Sequence, residues 1–111
     1  MLKVPQKHAL TLPWTKSRNQ WVRRGAAVVL VHSLRRGKGL KQAFEIADLL
    51  LQDPEDLVQK GYGWMLKEGT RHFRSEIFDF VMDRRLLMPR AALRYAIEKM
   101  PQAMRSRAMK K

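Results

Sequence analysis

The chain reads VQKGYGWML at residues 58–66 and VRRGAAVVL at residues 22–30, two similar segments at an offset of 36 residues. A weaker third copy begins at Pro89. Helix pairs that recur every ~30–47 residues are typical of an α-solenoid, in which each pair buries its apolar face against its neighbours. The repeat therefore predicts an all-α solenoid. The alternative is an irregular helical bundle whose helices are alike only because all of them are amphipathic.

The apolar residues have helical spacing from Ser17 onward, and glycines and prolines fall at the breaks. Asp53 should accept hydrogen bonds from the free amides at the start of the third helix, where Pro54 suits the first turn. We predict a basic, irregular segment at 1–16 and a helical repeat domain at 17–111. The five to six predicted helices span about 18–36, 40–52, 54–70, 75–85, 89–101 and 102–109.

Three of these helices have an apolar face that we expect to form the core. Its predicted members are Leu40, Ala43, Phe44, Ala47, Leu50, Leu51, Val58, Tyr62, Met65, Leu66, Phe73, Ile77, Phe80 and Val81. The glycines at 61 and 63 lie inside a helical pattern, so they are not a phosphate-binding loop. We expect them to permit the close approach of another helix or of backbone.

The net charge of +13 is unevenly distributed, because residues 1–44 contain ten Lys and Arg and no acid. Such a charge favours a polyanionic partner, most simply nucleic acid, since phosphates bound by Lys and Arg release counterions. An anionic membrane surface or simple solubility would also explain it. The chain has no Cys and no apolar stretch of membrane-spanning length, which favours a cytoplasmic protein without disulfides.

Lys60, Trp64, Lys67 and Arg71 stand at i, i+4, i+7 and i+11, so a helix places three cations and an indole on one stripe. An aromatic ring in a basic row can lie against a sugar-phosphate backbone or an exposed base. Alternatively, Trp64 packs on the adjacent repeat and the lysines are simply solvated.

Further basic rows occur on the first helix, with Arg35 and Arg36 at its end, and on the fifth. If these helices line one side of a solenoid, their charges form one cationic track. The histidines at 8, 32 and 72 lack metal-ligand spacing, and the paired acids look like solvated helix faces, so we predict no metal site and no catalytic residue. The predicted DNA-binding residues are Arg23, Arg24, Lys60, Trp64, Lys67, Arg71, Arg90 and Arg94.

Three segments, at 17–24, 58–68 and 88–99, make the chain resemble the HEAT-like DNA alkylation repair proteins, which include the AlkD-type alkylpurine DNA glycosylases. The resemblance covers about residues 12–109. It implies a HEAT-like α-solenoid that cradles duplex DNA and, in the family's glycosylases, releases positively charged alkylated purines without a metal or cofactor. It also implies that Trp64 contacts the lesion nucleotide and Arg24 the DNA backbone.

In that family the catalytic Asp belongs to the N-terminal half, whereas no acid precedes Glu45 in this chain. We therefore expect a C-terminal half that binds double-stranded, alkylated DNA and is not catalytically complete alone. An uncapped solenoid end would allow self-association. The alternative is a helical-repeat scaffold that binds an acidic protein partner through the same surface.

Overall fold

The computed structural model describes residues 12–110, and within that range every regular element is helical. Residues 12–14 form one helical turn, while residues 1–11 of the predicted irregular segment lie outside the described range. The helices are α1 (Gln20–Val28), α2 (Val31–Arg35), α3 (Leu40–Leu50), α4 (Asp56–Arg84), α5 (Arg90–Ile97) and α6 (Gln102–Met109). The all-α prediction is confirmed, and six helices lie within the predicted number.

Helix α4 is the centre of the fold, because α1, α2, α3 and α5 all pack against it. The core follows the predicted apolar faces: Tyr62 and Met65 are fully buried on α4, and Ile46 and Leu50 are fully buried on α3. Leu40, Phe44 and Phe73 are only partly buried and pack on the edge of this core. Burying one such side chain stabilises the fold by about 1.5–3 kcal/mol. Because α1, α2, α3 and α5 pack against α4, they depend on it for their stability.

The predicted first helix is divided into α1 and α2. The N–H of Leu30 donates to the carbonyl of Ala27, three residues back, which tightens the last turn of α1. Leu30, Val31 and Leu34 are all buried after this turn. The change of direction therefore lets α2 pack against the central helix.

The predicted third and fourth helices are one helical run, α4, with a kink at Phe73 (φ −133°, ψ 39°). The kink lies inside the predicted break at residues 71–74, so the interruption between the two predicted helices is confirmed, although no Gly or Pro marks it. The fifth predicted helix ends at Ile97, four residues before Pro101, because Pro101 has no N–H to donate to the Ile97 carbonyl.

Helix α4 begins at Asp56 with Glu55 as its N-cap, so the prediction that Pro54 lies in the first turn was wrong. Asp53 accepts from the amide of Glu55 at 3.0 Å, in the turn before the helix.

Two glycines on α4 set the distance to its neighbours. A Cβ on Gly61 would lie 2.8 Å from Cγ of Arg24 on α1, and a Cβ on Gly63 would lie 2.9 Å from the carbonyl oxygen of Ala92 on α5. Both distances are too short for real contacts. The prediction that these glycines permit the close approach of another helix or of backbone is confirmed.

We predict that Gly63→Ala lowers the free energy of unfolding by about 1–2 kcal/mol, because the overpacking cost against α5 backbone exceeds the gain in helix propensity. Gly69→Ala is the matched control. Its Cβ would meet Cδ1 of Ile77, the movable end of a side chain, so this variant should stay within about 0.5 kcal/mol of the parent. Urea unfolding followed by circular dichroism measures both; equal losses would contradict the argument.

Candidate nucleic-acid interface

Four of the eight predicted DNA-binding residues line one open recess of about 340 Å³. Arg24 comes from α1, and Lys60, Trp64 and Lys67 come from successive turns of α4. Leu57 and Tyr95 complete the lining. We call this the tryptophan recess. The stripe predicted from sequence thus faces a concave surface between three helices.

The glycines shape this recess as well as the core. Because Gly61 has no side chain, the aliphatic stem of Arg24 lies directly over α4. Gly63 does the same for Tyr95, whose Cβ lies 2.7 Å from the position that a Cβ of Gly63 would take. Arg24 and Tyr95, which line the recess with Trp64, therefore pack directly on the backbone of α4 at the two glycines.

The indole of Trp64 is half-buried. One side packs against the core, and the ring also lines the recess. Its Nε1–H donates to Oε2 of Glu68 at 3.1 Å, one helical turn further along α4. Because this bond fixes the edge of the ring, the indole has a defined orientation in the recess.

Glu68 is held by several donors at once. Arg35 of α2 donates to its Oε1 at 3.0 Å, and Lys99 lies 3.9 Å from its Oε2. Burial would raise the pKa of Glu68, but the hydrogen bonds from Arg35 and Trp64 and the charge of Lys99 outweigh it and lower the pKa below its ordinary value. The carboxylate therefore stays ionised at neutral pH.

The two lysines of the recess are each paired with a carboxylate. Lys67 binds Glu98 at 2.9 Å, and its Nζ lies 5.4 Å from the centroid of the Tyr95 ring. Lys60 binds Asp56 at 2.9 Å on the exposed side of α4. Hydrogen bonding to Asp56 raises the pKa of Lys60, and hydrogen bonding to Lys67 lowers the pKa of Glu98. Arg24 makes no ion pair within residues 12–110.

A second recess of about 290 Å³ adjoins the first, and Lys67 lines both. We call it the cationic recess. Arg71, the fifth predicted residue, lies here beside Arg74 and Lys99. Glu68 and Thr70 complete its lining. We call the cations of the two recesses, which share Lys67, the basic strip.

Arg23, Arg90 and Arg94 lie outside both recesses. Arg23 forms a two-point ion pair with Asp53, with its Nε at 2.7 Å from Oδ2, and also donates to the carbonyl of Ser17. Arg90 is exposed at the start of α5. Arg94 lines a separate recess beside α6, together with Arg105 and Glu98.

The sequence reasoning did not assign roles to Tyr95, Glu68, Arg74 and Lys99. Two of them had a signal. Glu68 follows Trp64 by four residues, a spacing at which helical side chains meet. Tyr95 occupies the position of Trp64 in the third copy of the repeat, counted from Pro89. Among the described residues, no three His, Asp or Glu side chains converge as metal ligands.

The fold and this strip define an all-α protein with a basic concave surface built around an aromatic residue. The family model for DNA alkylation repair enzymes matches residues 1–100. The chain therefore belongs to the DNA alkylation repair enzyme family, and this membership supports a role in DNA repair. No curated protein and no solved structure gives a significant match to the chain. No helix in residues 12–110 is long and apolar enough to cross a membrane.

We predict that Arg23→Ala lowers the free energy of unfolding by about 3 kcal/mol, because it leaves Asp53 buried without its partner. The side chains of this pair are only 14% and 8% exposed. Lys60→Ala removes a pair on the solvent side and should leave the melting temperature almost unchanged. Thermal unfolding of both variants checks this; a small effect of Arg23→Ala would show that the buried pair is not structural.

Proposed function

We propose that this protein binds double-stranded DNA through the tryptophan and cationic recesses, with alkylated DNA as its target. The single observation that supports this most is that Arg24, Lys60, Trp64 and Lys67 meet in one open recess. Cations of this kind hold phosphates, while an aromatic face beside them can contact a nucleotide. Membership of the DNA alkylation repair enzyme family also supports this proposal, because it suggests an interaction with DNA.

The cations of the strip differ in what they must give up to bind a phosphate. Within residues 12–110, Arg24, Arg71 and Arg74 form no ion pair, so they are available directly. Lys60 and Lys67 must exchange a carboxylate for the phosphate. An exchange of one anion for another gains less than a new charge-assisted contact. Arg24 should therefore contribute more to DNA affinity than Lys60.

We also propose that the chain does not complete base excision by itself. Hydrolysis of a glycosidic bond needs a carboxylate that can stabilise the developing positive charge or activate water. Both oxygens of Glu68 already accept hydrogen bonds from protein donors, and its side chain is only 12% exposed. The other two acids beside the recesses, Asp56 and Glu98, are neutralised by lysines and do not line the tryptophan recess.

We expect fluorescence anisotropy on a short duplex to show an affinity that falls steeply with salt, with a slope of log K against log salt of roughly −3 to −5. Arg24→Ala should weaken binding about tenfold and reduce the slope by about one. Lys60→Ala should have a smaller effect. Arg90→Ala removes the same charge outside both recesses, and serves as the matched control.

Two results would contradict this proposal. A flat salt response of the parent chain would mean that phosphates are not the ligand. Equal losses from Arg24→Ala and Arg90→Ala would mean that net charge alone, rather than the tryptophan recess, determines binding.

For the second proposal, we expect the isolated chain to release no methylated purine above the spontaneous rate from a duplex that contains N-alkylated purines. Chromatography of the released bases measures this. Catalytic release by the parent, lost in Glu68→Gln at unchanged duplex affinity, would show instead that Glu68 takes part in base excision.

A further inference from the structure

Glu68 is a carboxylate among the cations of the cationic recess, where it works against phosphate binding. It lies between Trp64 on one side and Arg35 and Lys99 on the other, so that α2, α4 and the turn after α5 meet at one side chain. Its side chain is 12% exposed, which makes it an interior member of the site rather than a solvated charge.

The first effect of Glu68 is on the geometry of the ring. An indole can rotate about two side-chain bonds, and a half-open recess alone does not fix both rotations. The bond from Nε1 of Trp64 to Oε2 of Glu68 ties one edge of the indole to the helix. Because Arg35 binds the other carboxylate oxygen, Glu68 itself cannot turn away freely.

The second effect is on the charge that a bound base would meet. A negative group at the edge of an indole increases the attraction of its face for a cation. Glu68 also neutralises Arg35 and Lys99, which would otherwise stand beside the ring and repel a positively charged base. Both effects of Glu68 favour a positively charged base. Neither strengthens the attraction for a neutral base to the same extent.

We propose that Glu68 is a positioning and specificity residue, which makes the tryptophan recess prefer a positively charged nucleobase to a neutral one by orienting the Trp64 indole and holding negative charge at its edge. This inference rests on the proposed function, because it takes the recess to be the place where DNA meets the protein. It adds the residue through which the recess distinguishes the charge of the base.

The orientation is tested in the free protein by the ¹H–¹⁵N resonance of the Trp64 indole, assigned with Trp64→Phe. Glu68→Gln keeps an oxygen that can accept from Nε1–H, whereas Glu68→Leu removes it. We expect Glu68→Gln to keep a protected indole N–H, and Glu68→Leu to shift the resonance and speed its exchange with solvent. An indole signal that is the same in all three proteins overturns the positioning role. Circular dichroism confirms that each variant is folded.

The preference is tested with two duplexes that differ in one atom of one base. One contains 7-methylguanine, kept cationic at mildly acidic pH, and the other contains 7-methyl-7-deazaguanine, which has the same shape and no charge. We expect the parent to bind the cationic duplex about threefold or more tightly, the size of a partly exposed cation–π contact. In Glu68→Gln the ratio should approach one, while affinity for the neutral duplex is maintained or rises with the added positive charge.

Asp48→Asn is the matched control, because it removes an equal charge from a pair with Arg84 that lies outside both recesses. It should change the affinity for both duplexes alike and keep their ratio. Steep, salt-dependent binding of both duplexes by the parent without any preference would overturn the role of Glu68 and leave the proposed function standing. A parent that binds neither duplex would contradict the proposed function, and this inference would fall with it.

Discussion

The approach of two helices to opposite sides of α4 is the constraint on which the rest of the structure depends. Gly61 and Gly63 are two residues apart, so they face roughly 200° away from one another around the helix. Gly61 faces Arg24 on α1, and Gly63 faces the backbone of α5. A larger side chain at either position would push one neighbour outward. The tryptophan recess exists because both neighbours come close enough for their side chains to border the same stretch of α4.

Some charged side chains form ion pairs that join parts of the fold, whereas others have no acidic partner among the described residues. Arg23 with Asp53, and Arg84 with Asp48, join elements that are distant in sequence. Arg84 also lies over the ring of Phe80, which itself stacks on Phe44. The first ion pair joins α1 to the turn before α4, and the second joins α4 to α3. Arg24, Arg71 and Arg74, in contrast, line the two recesses and have no acidic partner within the described residues.

Sequence could predict the helices, the core faces and the stripe from Lys60 to Arg71, because all of these follow from periodicity within one helix. Periodicity alone could not separate Arg23 from Arg24, which are adjacent in the chain. Arg23 pairs with Asp53, thirty residues away, whereas Arg24 lines the tryptophan recess. The partners of Glu68 likewise come from α2, α4 and the turn after α5, and only the contact with Trp64 is local. The sequence did predict an interruption near residue 73, and the structure has a kink at Phe73 there, although no Gly or Pro fixes the exact residue.

The repeat also explains why the recess is composite. Arg24 and Lys60 occupy the same position in the first two copies, and Trp64 and Tyr95 occupy the same position in the second and third. Each of these segments thus supplies only part of the lining, and the cations and aromatic rings come together where α1 and α5 pack against α4. A single helix pair could not form this surface, since its apolar face would stay exposed and α4 would have no neighbours to border it. Binding and folding are therefore coupled through the same contacts: any change that separates α1 or α5 from α4 removes a core interface and a side of the recess together.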